Sequence, residues 1–166
     1  ISKNKVFAYT SGNWGKNIPP EFIPKLKSID NLKGIKFSTS NIVHTELALS
    51  YADNNFEVIP AVVKQLLPSL ILGCKSFTTV EASIFLNEIF EITSLYKIRD
   101  IDSARNSQRK LNNLIQNSSL QPSKHNFLRT AEIKSILEHR NICSRFVANG
   151  FKQITQSEFD KLKSFK

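Results

Sequence analysis

Across residues 80–96 the large apolar side chains Val80, Ile84, Phe85, Ile89, Phe90, Ile92, Leu95 and Tyr96 recur at helical spacing. They follow Thr78, Thr79, Val80 and Glu81, the pattern of a capping box, in which a hydroxyl and a carboxylate three residues apart satisfy two orphan amides at a helix start. The apolar positions cover more than one face of that helix, so the pattern predicts a central element buried on several sides. Such a helix has to be wrapped by others, and the rest of the chain offers them.

Pro19, Pro20 and Glu21 suit a first helical turn, with Phe22, Leu26, Ile29 and Leu32 following at helical spacing and Gly34 as the stop. Ile35, Lys36 and Phe37 alternate briefly. Ser40 or Asn41 then caps a helix carrying Val43, Leu47 and Tyr51, and Asn55 caps another through Val62, Val63, Leu66 and Leu67. Asp100 or Asp102 opens a helix whose stripe is Ile101, Ala104, Leu111, Leu114 and Ile115. Thr130 opens one through Ile133, Ile136, Leu137 and Val147 to Asn149 and Gly150, and Thr155 to Glu158 form a second capping box before Phe159, Leu162 and Phe165. The expected fold class is therefore mostly α: a single compact helical domain of about six to seven helices with an irregular N-terminal arm. The arm is residues 1–18 and the helical domain residues 19–166, with sub-lobes 19–115 and 127–166 joined by a polar loop at 116–126.

Charge is sorted along the chain. Residues 1–40 hold seven Lys against two acids, residues 41–96 two Lys against six acids, and residues 97–166 fourteen basic residues against six acids, for a net charge of +9. Clustered cations of this kind attract phosphates or acidic partners. On the helix after Asp100, Arg105 and Arg109 are four apart on one face and Lys110 flanks them. Arg129, Arg140, Arg145 and Lys152 extend the basic set toward the C-terminus. In the arm, Trp14 beside Lys16 has the aromatic-plus-cation chemistry that holds unpaired bases. Each has a plainer reading: a solvated helix face for the arginines and a packing anchor for Trp14.

Cys74 and Cys143 lie far apart with no CxxC spacing and read as buried thiols in an intracellular, reducing compartment. His44, His125 and His139 have no metal spacing, so no metal site and no cofactor are expected. P-loop, GxGxxG, GxSxG and HExxH patterns are absent. No run of about eighteen apolar residues exists for a membrane span.

These features lead to a non-enzymatic basic helical protein that binds nucleic acid, RNA or single strands foremost, through backbone phosphates. Its role would be packaging or nucleoprotein-like, with self-association through the N-terminal arm and no membrane partner. The alternative is a protein–protein interaction module, an adaptor or effector fragment, docking an acidic partner. An Arg105, Arg109, Lys110, Arg129, Arg140, Arg145, Lys152, Trp14 and Lys16 surface is the candidate site.

Overall fold

The computed structural model describes residues 4–11, 17–120 and 129–165. The chain divides into two compact units, Ile1–Thr79 and Val80–Lys166.

The first unit is built on a parallel sheet of three strands, β1 (Val6–Ser11), β2 (Leu32–Ser38) and β3 (Glu57–Pro60), in the order β1-β2-β3. Parallel neighbours cannot be joined by a tight turn, so each connection crosses over through a helix. Here these are α1 (Ile23–Lys27) and α2 (Ile42–Ser50), and α3 (Leu66–Ile71) follows β3. Strand alternation sends Ile35, Phe37 and Val58 to one face, where they are buried with Ile23, Ala48 and Phe56 in the core. Asn41 caps α2, its Oδ1 accepting from the backbone N–H of Val43 at 3.0 Å. Beyond α3 the chain returns along the end of β3, where the Thr78 N–H donates to the Pro60 carbonyl at 3.1 Å.

This sheet overturns the expectation of a mostly α, all-helical domain with an irregular arm. Val6–Ser11, inside the expected arm, is an edge strand in register with β2. Gly34, expected to stop a helix, sits mid-strand in β2, and α1 ends at Lys27. Val58 and Ile59, absorbed into a helix by their distance from Val62 and Leu66, are β3. The physical reason is the same in each case. Strands of four to seven residues leave too short an alternation to compete with helical spacing, and their pairing partners are distant in sequence.

The second unit is helical: α4 (Leu86–Lys97), α5 (Ile101–Asn117), α6 (Thr130–His139) and α7 (Gln156–Lys161). Ile92 of α4 is buried, as are Ala104, Leu111 and Ile115 of α5. The Ser107 hydroxyl donates to Glu91 across the two helices at 2.9 Å. Asp100 caps α5 through Ser103 N–H, and Thr155 with Glu158 forms a full capping box on α7. The helix expected to be buried on several sides is one-sided. It begins at Leu86 after a 3₁₀ turn at Val80–Ser83, and Leu86 and Phe90 are exposed. Arg129, at a left-handed φ of 51°, precedes α6 in the place expected of Thr130, and α6 stops at His139 rather than at Gly150. Of the expected loop 116–126, residues 116 and 117 belong to α5 and 121–126 lie outside the described residues. Among the described residues no helix is long and apolar enough to cross a membrane.

Candidate active site

The face of the sheet opposite the core holds the candidate groups. Because Ile35 and Phe37 point into the core, Lys36 between them points the other way. Lys36 lies opposite Tyr9 on β1 and Ile59 on β3. Its Nζ stands 4.6 Å from the centre of the Tyr9 ring, a cation–π contact with a half-exposed aromatic. One step toward the N-terminal end, Phe7 faces Gly34. A Cβ on residue 34 would collide with the Phe7 ring and with the Glu57 carbonyl oxygen, so glycine lets Phe7 lie across the strand. One step toward the C-terminal end, Ser11 faces Ser38. The face thus reads phenyl, phenol with ammonium, then paired hydroxyls.

At the C-terminal ends of β1 and β2 a cavity of about 120 Å³ is lined by Thr10, Asn17, Ile18, Pro19, Phe37, Ser38, Thr39 and His44. Thr10 Oγ1 accepts from Ile18 N–H at 2.7 Å and ties Ile18 to the end of β1. Thr39 Oγ1 accepts from Asn41 N–H at 3.1 Å, and Gln65 reaches over to donate to the Ser40 carbonyl at 2.5 Å. The rim is therefore tied from two directions.

Of the residues singled out in the sequence, Arg105, Arg109, Lys110, Arg129, Arg140, Arg145 and Lys152 belong to the second unit. Arg105 pairs with Asp102 on exposed α5, where Arg109 and Lys110 are also exposed. Arg129 is largely buried, 3.5 Å from Glu81 and donating to the Ser118 hydroxyl at 2.6 Å. Burial pushes its guanidinium below the usual arginine range, opposed by Glu81 and Glu132. Arg140 donates to the Phe165 carbonyl. Arg145 donates to Gln156 and lies 4.2 Å from the centre of the Phe159 ring, whose other contact is a stack with His139. Lys152 is exposed, and Trp14 and Lys16 lie outside the described residues. Arg105, Arg129, Arg140 and Arg145 are thus engaged by groups of their own unit. Among the described residues no three His, Cys, Asp or Glu side chains gather as metal ligands would.

The sequence profile described as "Dihydrodipicolinate synthetase family" matches residues 6–162. The chain belongs to this family. A 4-hydroxy-tetrahydrodipicolinate synthase of Thermoanaerobacter sp. (strain X514) is 30% identical over 97 residues, 58% of this chain and 33% of that protein. Dihydrodipicolinate synthase from Bacteroides thetaiotaomicron superimposes with a TM-score of 0.83 at 20% identity, covering 97% of this chain and 55% of the other. The YagE prophage protein of E. coli K12, solved in complex with pyruvate, gives 0.80 at 17% identity over 96% of this chain and 54% of its own. The chain thus spans about a third of that curated relative and about half of those solved structures.

The family's fold is a TIM-barrel-like α/β fold, and the parallel sheet with its crossover helices belongs to it. In such folds the reacting groups sit toward the C-terminal ends of the strands. Membership in a family of enzymes overturns the expectation of a non-enzymatic, RNA-binding or nucleoprotein-like protein, along with nucleic acid as its partner and the adaptor alternative. The arm assigned to self-association is not irregular, since its residues Val6–Ser11 form a strand paired to β2. Lys36 was visible as the polar member of an apolar alternation. A lysine between two buried residues of a parallel strand is the signal that would have found it.

Proposed function

We propose that this chain carries the carbonyl-binding lysine of an aldol-type lyase acting on a 2-oxo acid of the pyruvate class, with Lys36 as the nucleophile. The observation that carries this is the placement of Lys36: on the middle strand of a parallel sheet, on the face away from the core, with its ammonium over Tyr9. A lysine amine forms Schiff bases with carbonyl substrates, splitting one hard step into easier ones. The pyruvate complex of YagE supports the choice of substrate class.

The free-base amine of Lys36 attacks the 2-oxo carbon, and water leaves as the imine forms. Loss of a proton from the adjacent carbon gives the enamine. That carbon bonds to an aldehyde carbonyl, whose oxygen takes up a proton as hydroxyl. Water then hydrolyses the imine and frees the amine. Nothing is oxidised or reduced. Tyr9 carries a proton-bearing hydroxyl on the same face and is proposed to move protons during these steps.

An intracellular, reducing location is part of the same reading, supported by two free thiols, Cys74 and Cys143. The test is turnover of pyruvate with aldehydes. Lys36→Arg keeps the charge but cannot form the imine, and is expected to fall to background. Tyr9→Phe keeps the ring and is expected to slow turnover by about 10²–10⁴-fold. Undiminished activity in Lys36→Arg would remove the proposal.

A further inference from the structure

We infer that Phe7 is a positioning residue for Lys36: its ring, lying across Gly34, keeps the lysine amine off the carboxylate of Glu57 and so leaves it free to attack a carbonyl. This rests on the Lys36 reading and adds to it what keeps the nucleophile available.

The opening that the ring fills is set by the register. Register partners share a face, so Glu57 stands with Gly34 and Lys36 on the side away from the core, as Val58 stands with Ile35 on the core side. Neighbouring strands lie about 4.8 Å apart and two residues advance roughly 6–7 Å, which makes Lys36 and Glu57 diagonal neighbours about 8 Å apart at the backbone. That is within reach of two long side chains. The way between them passes Ile59 on one side and Gly34 on the other. Gly34 brings no side chain to that patch.

Phe7 brings one instead. It is the register partner of Gly34 on β1, and its ring carbons Cδ1 and Cε1 lie where a Cβ on residue 34 would have to be. A side chain at 34 would push the ring out to solvent, whereas glycine leaves it seated. The two charges are accordingly engaged apart. Lys36 Nζ stands 4.6 Å from the centre of the Tyr9 ring, and the Glu57 carboxylate accepts from the Ser76 hydroxyl. Separation matters to the chemistry, because an opposite charge close by favours the protonated amine, and only the free base attacks a carbonyl. The Tyr9 ring holds the ammonium more weakly than a carboxylate would, so a substrate can displace it.

The experiment reads the Lys36 amine directly. The 166-residue chain is treated with formaldehyde and cyanoborohydride near neutral pH, and methylation of the Lys36 peptide is timed against that of exposed Lys110. Phe7 is 49% exposed, so its truncation leaves the core intact. Phe7→Val, a strand former too short to cover Gly34, is tested beside Phe7→Ala. Both are expected to slow Lys36 about two- to fivefold, the range of a half-exposed ion pair. Glu57→Gln added to either is expected to restore the parent rate, and Phe7→Tyr, which keeps the ring, to leave it unchanged. An equal or faster rate without the ring, or a slowed rate that Glu57→Gln does not restore, would overturn the positioning role. Borohydride trapping of pyruvate separates the two claims. Trapping at Lys36 that is equally fast in the parent and in Phe7→Val would reject the positioning role alone. No trapping in the parent would reject the Lys36 reading, while the methylation rates still decide whether Phe7 keeps the two charges apart.

Discussion

Gly34→Ala tests the geometry that brings Lys36 and Tyr9 together. The added methyl would meet two atoms at once: a ring carbon of Phe7 on β1 and the backbone oxygen of Glu57 on β3. Phe7 is 49% exposed, so its ring can swing toward solvent at little cost. The Glu57 oxygen cannot move alone, because Gly34 and Glu57 are register partners in the β2–β3 ladder. Overpacking against fixed atoms costs about 1–3 kcal/mol. Alanine restricts the unfolded chain more than glycine and returns about 0.4–1 kcal/mol. The net loss is about 1–2 kcal/mol, which for a chain of this length lowers Tm by roughly 2–8 °C. Calorimetry reads that shift, and urea unfolding should show a lower midpoint at an unchanged slope. Phe7→Ala in the same background should recover only part of the loss, since the Glu57 oxygen remains. A Gly34→Ala chain melting at or above the parent temperature would refute the packing argument.

In the second unit, Arg129→Ala removes the cation beside buried Glu132 and partly buried Glu81 and should lower unfolding free energy by about 3–5 kcal/mol; a loss under about 1 kcal/mol in urea would show that the acids are solvated there. Burial pushes the Cys74 thiol up to about 11, whereas Cys143 is exposed. Iodoacetamide near neutral pH should therefore label Cys143 quickly and Cys74 only on unfolding, and equal labelling rates would contradict that burial. The Lys27 ammonium, 2.5 Å from Asp53, holds that carboxyl below its ordinary range, helped by N–H donors from Asn55 and Phe56. A depressed carboxyl binds fewer protons folded than unfolded, so its contribution is present above about pH 4 and is lost as pH falls through the folded value. Lys27→Ala should flatten this part of the acid limb, and an unchanged limb would show that the pair contributes nothing.

Short-range signals were legible in the sequence and long-range ones were not. Asn41, Asp100 and the Thr155–Glu158 box mark helix starts because a cap is made within three residues of itself. Thr78 and Glu81 have the same pattern, yet α4 starts at Leu86, because a box is only as good as the helix that follows it. The sheet depends on pairings such as Tyr9 with Lys36 and Lys36 with Ile59, more than twenty residues apart, which no local window registers. Lys36, visible in its short alternation, was passed over for a related reason. Charge clustering drew attention to the arginines, whereas a single lysine acquires its significance from the strand that aims it and the aromatic beside it. The apolar run from Val58 to Leu67 has helical spacing throughout, and only Pro60 marks where the strand within it ends.

The account turns on Lys36, and the most direct measurement is peptide mapping after reduction. The chain is incubated with pyruvate and borohydride, digested, and its peptides weighed by mass spectrometry. One reduced pyruvate adduct on the peptide that contains Lys36, absent from Lys36→Arg and absent without pyruvate, is the predicted result. An unmodified Lys36, or adducts scattered over the exposed lysines with none favoured, would contradict it.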